Sequence, residues 1–219
     1  EEVVKKNGVL LIPAFSLERI QLLLYELHAL IDQKKVYPLS VFIDSPLAID
    51  ILSVYKKFQD YLRVESFRTF GGVREMFQFP EVKFTKSIQD SKKILLALPP
   101  KVIIAGSGMS MGGRILYHEK EYLPYPSTTI LFVNHQGKVT KGDEILKGAK
   151  RINLFGEEVE VRAEVRTIFG YSAHGDHGEL AKWLSGFERF SATPEGEKLL
   201  KKVFVVHGKE QPAEALAVW

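Results

Sequence analysis

The chain has 219 residues, 45% hydrophobic and 26% charged, with a formal net charge of +3 and a pI near 8.9. That is the balance of an ordinary globular protein with material for one generous domain or two small ones, and it excludes disordered and fibrous chains. Cysteine is absent, so disulfides and thiolate zinc sites are excluded and any metal must be held by His, Asp, Glu or backbone oxygen.

The mild basic excess tolerates a polyanionic partner without demanding one, because the lysines and arginines are spread along the chain. No apolar run approaches the roughly 20 residues that span a bilayer, and no signal peptide opens the chain, so the cytoplasm is the expected location and no membrane contact is foreseen. Glu1 to Lys6 reads as the end of a helix. With Glu1 in first place, the chain is expected to be the later part of a longer protein.

Val9 to Phe15 is a short apolar run, predicted to be a buried strand that leads to a helix N-cap at Ser16. Leu17, Ile20, Leu24, Leu27 and Ile31 recur at helical spacing and predict an amphipathic helix over 17–33. Val41 to Ile43 predicts a second strand, which stops at Asp44-Ser45-Pro46, a helix start. The stretch from Tyr61 to Phe84 gives no clear pattern, and Gly71-Gly72 suggests a loop.

Ser87 to Leu98 predicts a helix ended by Pro99-Pro100, and Val102 to Ala105 a buried strand. A glycine-rich segment, Gly106-Ser107-Gly108-Met109-Ser110-Met111-Gly112-Gly113, leads to a helix over 114–122, and Thr128 to Asn134 returns to strand. Strands buried on both faces alternate with helices, the pattern of a parallel α/β sheet covered on both sides. From Ile152 the texture changes. Val159, Val161, Ala163, Val165 and Thr167 alternate with charged residues and predict one long half-exposed strand. A helix over 179–184, a charged connector over 193–202 and a final buried strand over 203–206 complete the expectation.

A glycine loop between a strand and a helix exposes backbone N–H groups at the positive end of the helix dipole, a setting that favours phosphate. It is not a Walker A loop, since no Gly-Lys-Ser/Thr ends it, and its spacing fits a dinucleotide fingerprint poorly. Taken alone, the loop reads equally well as a tight turn that lets helix and strand pack closely. Gly106-Ser107-Gly108 also lacks the register of a nucleophile elbow, so a serine hydrolase is set aside.

Two histidines are better candidates. His174, in Ser172-Ala173-His174-Gly175, and His207, in Val205-Val206-His207-Gly208, each follow a strand-like run and meet a glycine. At such a position a rigid element fixes the imidazole while a turn leaves it accessible. His177 reads as an exposed residue at a helix start, His28 as surface or rim, and His118 shows no partner in the sequence. His135 stands alone in a loop, and Asp44 is either an acid at a strand end or part of a helix start.

Five ordered segments together carry a resemblance: residues 11–24 (LIPAFSLERIQLLL), 42–48 (FIDSPLA), 105–114 (AGSGMSMGGR), 169–176 (FGYSAHGD) and 205–210 (VVHGKE). In this order the chain resembles the β-CASP branch of the metallo-β-lactamase superfamily, a group of RNA-processing nucleases. The resemblance implies an α/β fold with a β-CASP domain over 1–152, followed over 153–219 by the closing strands and helix of an αββα metallo-β-lactamase core. It implies His174 as a catalytic proton donor or phosphate contact and His207 as a zinc ligand. Ser107, Gly108, Met109, Gly112, Gly113 and Ser172 would hold substrate phosphate.

The same resemblance implies a zinc-dependent RNA phosphodiesterase, endonucleolytic, 5′-exonucleolytic or both. Its two zinc ions would be bound mostly by an N-terminal metallo-β-lactamase part whose His-x-His-x-Asp-His motif these residues do not contain. The fragment is therefore expected to hold no complete zinc site and to be inactive alone. RNA is the implied partner, single-stranded DNA a second polyanion the same contacts would accept, and a homodimer is left open. A non-catalytic RNA-binding or assembly module of the same fold is the alternative, and a nucleotide-binding domain built on the glycine loop a weaker third.

Overall fold

The computed structural model describes residues 1–62, 70, 76–168, 170–171, 174–188, 202–206, 208 and 210–218. The chain forms two compact units, Glu1–Tyr171 and Ser172–Trp219.

The first unit is built on a six-stranded parallel sheet. Its strands are β1 (Val9–Pro13), β2 (Ser40–Asp44), β3 (Val82–Phe84), β4 (Lys101–Ala105), β5 (Thr129–Phe132) and β8 (Glu164–Thr167), in the spatial order β3-β2-β4-β1-β5-β8. All five pairings are parallel. Both faces are covered, and strand alternation divides the apolar side chains between them. Ile12, Val41, Ile43, Val102 and Ile104 pack with Ile20, Leu23 and Leu24 of helix α2 (Arg19–Asp32) and Ala48 of α3 (Pro46–Lys57). Val9, Leu11, Phe42, Ile103, Ile130 and Phe132 pack on the opposite face with Ile94, Leu123, Ile145 and Ile152. Ile43, Ile104 and Ile130 are fully buried, each contributing about 1.5–3 kcal/mol of transfer free energy. The α/β class read from the strand–helix alternation is therefore correct.

Helix boundaries follow local chemistry. Ser45 accepts from the Ala48 amide at 3.3 Å and Pro46 fills the first helical position, so α3 starts where Asp44-Ser45-Pro46 predicts. Ser87 caps α4 (Ile88–Lys93), which tightens into a 3-10 turn over Ile94–Leu96 before Pro99-Pro100 and so is shorter than the sequence suggests. Further α-helices among the described residues of this unit include α1 (Glu2–Lys5), α5 (Ile115–Tyr122) and α6 (Lys141–Leu146), the last capped by Thr140.

Several expectations are corrected. Ser16 is not an N-cap: its hydroxyl is hydrogen-bonded to that of Ser45 at 2.9 Å, and α2 begins three residues later after Glu18, which has φ 64°. The long strand expected from Val159 to Thr167 is two elements. Strand β7 (Glu157–Glu160) forms an antiparallel hairpin with β6 (Arg151–Leu154), and β8 then pairs with β5. The break comes at Arg162 and Ala163, whose amides both turn to the Leu123 carbonyl. Lys101, outside the predicted strand, opens β4 with its side chain buried. Its ammonium donates to the carbonyls of Ile94 and Ala97 at 2.7 and 2.6 Å and lies 5.0 Å from the Tyr122 ring centre.

In the second unit, α7 (His177–Glu188) extends the helix predicted over 179–184 in both directions, and α8 (Glu210–Ala217) was not anticipated. Residues 203–206, expected as a buried strand, are neither strand nor buried: Val203, Phe204 and Val206 are exposed. A strand needs a neighbouring ladder and a face to bury, and no described residue pairs with this segment.

Candidate functional site

Parallel strands bring their carboxyl ends to one edge. Beyond β1 the chain passes β4 to reach β2, with α2 packed on one face; beyond β4 it passes β1 to reach β5, with Tyr122 and Leu123 at the end of α5 packed on the other. Adjacent strands β1 and β4 thus send the chain in opposite directions, the kind of switch point near which open α/β sheets bind ligands, and here the two loops meet closely. The glycine-rich segment follows β4 at this point, and Ala14-Phe15-Ser16 follows β1.

The glycine loop is tied to itself. The Ser107 amide donates to the Gly112 carbonyl at 3.2 Å, the Met111 amide to the Ser107 hydroxyl at 3.1 Å and the Ile115 amide to the Gly106 carbonyl at 3.0 Å. Gly113 has φ +73°, and a Cβ there would lie 2.5 Å from the Gly106 oxygen, so only glycine fits. A Cβ on the buried Gly108 would stand 3.0 Å from both the Phe15 amide and the Asn134 side-chain oxygen. These close contacts are made within the loop and with the neighbouring loops after β1 and β5. Among the described residues, the amides of Gly108, Met109, Gly112 and Gly113 donate to no protein acceptor.

Beneath the loop lies a buried polar network that the sequence reading did not assemble. Asp44, fully buried at the end of β2, accepts on one oxygen from Thr85 (2.8 Å) and Arg114 (2.6 Å), and on the other from Ser91 (2.6 Å) and His118 Nε2–H (2.7 Å). Burial alone would raise its pKa, but hydrogen bonds from His118, Ser91, Arg114 and Thr85 outweigh that and hold it at about 2. Arg114 also donates to the carbonyls of Thr85 and Lys86, both at 2.8 Å. Asp44 is therefore an ionised hub at neutral pH that positions the start of α5, and His118, which shows no partner in the sequence, is one of its donors.

Glu119, one residue on, is also fully buried and takes a hydrogen bond from Ser110 of the loop. Burial pushes its carboxyl up to about 8 against the opposing pull of that bond. Ile115, His118 and Glu119 occupy the buried register of α5, so an acid in an inward position was the signal available in the sequence. Gln136 donates to the carbonyls of Gly108 (2.9 Å) and Asn134 (3.0 Å), bracing the loop from the end of β5.

The other histidines separate by environment. His28 is stacked between Phe70 and Phe79, with ring centres 4.2 and 4.6 Å away, so it belongs to the packing of α2 rather than to an open surface. His135 is exposed. Tyr171, the last residue of the first unit, donates its hydroxyl to Glu26 and lies under the Arg19 guanidinium. In the second unit His174 is exposed at a bend, and His177 is exposed as the first residue of α7, as expected. The intervening Asp176 forms a capping box: its side chain accepts from the Glu179 amide at 2.8 Å, and Glu179 accepts from the Asp176 amide at 2.9 Å. That shared use of Asp176 explains why a helix starts directly after Gly175. Ser172 and His207 lie outside the described residues.

Among the described residues no three His, Asp or Glu side chains come together as a metal site. Also among the described residues, no helix is long and apolar enough to cross a membrane.

Comparison with known sequences divides the chain in two. Residues 20–145 match the Beta-Casp domain, and residues 158–219 match the Zn-dependent metallo-hydrolase RNA specificity domain. Ribonuclease TTHA0252 of Thermus thermophilus is 34% identical over 216 residues, covering 99% of this chain and 47% of that protein. The transcription termination factor FttA of Pyrococcus abyssi is 29% identical over 230 residues, covering 99% of this chain and 33% of the factor. An RNase J-like protein of Methanocaldococcus jannaschii is 25% identical over 220 residues, covering all of this chain and 48% of the relative. The chain thus spans about half the length, or less, of the curated relatives it matches.

Proposed function

Because this chain belongs to the β-CASP family of metallo-β-lactamase-fold proteins, we propose that it is the β-CASP domain and closing segment of a zinc-dependent phosphodiesterase that cleaves RNA. The observation that carries this reading is the succession of a Beta-Casp match and an RNA specificity match along one chain. In this reading residues 1–152 form the β-CASP domain, and 153–219 close a metallo-β-lactamase domain whose remaining zinc ligands lie outside these 219 residues. A boundary near 152 is supported by the change of family match between 145 and 158, although β8 beyond it completes the sheet of the first unit.

The division of labour follows from the residue chemistry. The unsatisfied amides of Gly108, Met109, Gly112 and Gly113, with the Ser107 and Ser172 hydroxyls, bind substrate phosphate, since clustered N–H groups at a loop–helix junction favour an anion. His174, exposed at its bend, exchanges a proton with the reacting phosphodiester or its leaving group. His207 supplies one ligand to zinc, the metal named for the family that matches 158–219.

The test is cleavage of 5′-phosphorylated RNA by the full-length protein, with and without a chelator. Chelator-sensitive cleavage is expected, abolished with zinc retained in His174→Ala and weakened with reduced zinc content in His207→Ala. Cleavage unchanged by the chelator would sink the metal-dependent reading. RNA that is bound and never cut would instead make the protein a binding module of the same fold.

A further inference from the structure

Among the described residues, Glu119 is a buried acid of the first unit that the fold does not explain. Among the described residues Asp44 has four donors, whereas Glu119 has a single partner, the Ser110 hydroxyl, and its second oxygen, also buried, has none. An unpaired buried carboxyl normally costs stability that an apolar residue would not. Its position points to what it does. Ser110 is fully buried and sits at φ +54°, a left-handed conformation that a non-glycine residue keeps only when its surroundings hold it there.

The loop is anchored inward at three successive residues. Gln136 holds the Gly108 carbonyl at 2.9 Å, the Gly142 amide holds the Met109 carbonyl at 3.3 Å, and Glu119 holds the Ser110 side chain. In a planar trans peptide the N–H points opposite the C=O. With the Gly108 carbonyl drawn toward Gln136, the Met109 N–H faces the other way, where no protein acceptor meets it.

We infer that Glu119 is a positioning residue for substrate phosphate: through Ser110 it fixes the loop conformation in which the Met109 amide is presented to the anion. This inference rests on the RNA-phosphodiester reading above. A carboxylate under an anion-binding loop would repel the ligand it helps to hold. Burial, by keeping the Glu119 proton on to about pH 8, removes that objection at neutral pH. A neutral acid also predicts its own substitute, since glutamine has the same shape, no charge and the same acceptor for Ser110.

The experiment compares the full-length wild type with Glu119→Gln, Glu119→Ala, Ser110→Ala and the double alanine variant. It measures the Kd for a 5′-phosphorylated RNA oligonucleotide and hydrogen exchange of the 106–113 segment, with thermal unfolding as the check on folding. Loss of the one hydrogen bond is expected to raise Kd about tenfold in either alanine variant, no further in the double variant, and less than about twofold in Glu119→Gln. Exchange of the segment should quicken in the alanine variants and not in the glutamine variant. If the wild type binds RNA and Glu119→Ala binds as well with unchanged exchange, the inference is wrong while the RNA reading stands. If Glu119→Gln is as impaired as Glu119→Ala, the acid does more than position Ser110 and the inference is again wrong. Failure of the wild type itself to bind RNA overturns the RNA reading, and the assignment to phosphate falls with it.

Discussion

Replacement of Asp44 by alanine should be among the most destabilising single changes available in this chain. It would remove the shared acceptor of the Arg114 guanidinium, the His118 ring and the hydroxyls of Thr85 and Ser91, all now within 2.8 Å of the carboxylate. Removing one partner of a buried, hydrogen-bonded ion pair costs about 3–5 kcal/mol, a large share of the stability of an ordinary domain. Asp44→Asn separates charge from shape. The carboxyl titrates at about 2 in the fold and 3.8 in an unperturbed chain, and each pKa unit is worth about 1.4 kcal/mol, so the ionised form contributes roughly 2 kcal/mol at neutral pH. Because the folded value is depressed, that contribution is present above pH 4 or so and is lost as pH falls toward 2. Denaturant melts of wild type and Asp44→Asn should therefore show a stability gap at pH 7 that is nearly unchanged at pH 5 and narrows below pH 4. A gap independent of pH, or an Asp44→Ala midpoint equal to that of the wild type, would refute the account of Asp44 as an ionised hub.

Gly113→Ala should lower the melting temperature and weaken RNA binding, because its Cβ would stand 2.5 Å from the Gly106 oxygen at a φ of +73°; Gly112→Ala, with nothing within 4 Å of its Cβ, should leave the melting temperature unchanged. Lys101→Met should cost roughly 1–3 kcal/mol in a denaturant melt, since the buried Ile94 carbonyl and the half-buried Ala97 carbonyl lose their ammonium donor while the aliphatic volume is kept. Glu119→Gln should gain on the wild type as pH rises. The folded pKa near 8 lies above the unfolded value of 4.5, so the native state binds more protons, and wild-type stability falls between those two values by at most about 1.4 kcal/mol per pH unit; melts at pH 5 and pH 7.5 that show no widening gap would contradict a neutral buried Glu119.

What the sequence revealed, and what it hid, divides along physical lines. Strands β1, β2, β4 and β5 were readable because burial on both faces leaves continuous apolar runs such as Val102-Ile103-Ile104-Ala105, and α3 because Ser45-Pro46 is a cap written in adjacent residues. Strand β3 was not readable, since an edge strand of three residues needs little apolar character of its own. The alternation from Val159 to Thr167 was real but was shared between a hairpin and the main sheet. No local pattern announces that the Leu123 carbonyl will capture the amides of Arg162 and Ala163. The exposed segment 203–206 shows the opposite failure: apolar composition names a segment that would gain from burial, not the surface that buries it.

The candidate site was legible in its backbone and hidden in its support. Glycines that must approach another chain segment stand out in any sequence, and Gly106, Gly108 and Gly113 were found that way. Asp44, Ser91, Arg114 and His118 lie up to 74 residues apart, and only the parallel order of β2 and β4 brings them together. Two acids nevertheless end beneath a loop proposed to bind an anion, and each is silenced by a different means. The charge of Asp44 is met by the Arg114 guanidinium and three further donors, while Glu119 avoids charge by holding its proton. An interior that left either carboxylate ionised and uncompensated would turn the field at the loop against phosphate, since opposing charges interact strongly across a poorly screened interior. The arrangement therefore favours anion binding through its supports as much as through its amides, and substitutions beneath the loop should alter phosphate affinity without touching a single residue that contacts the ligand.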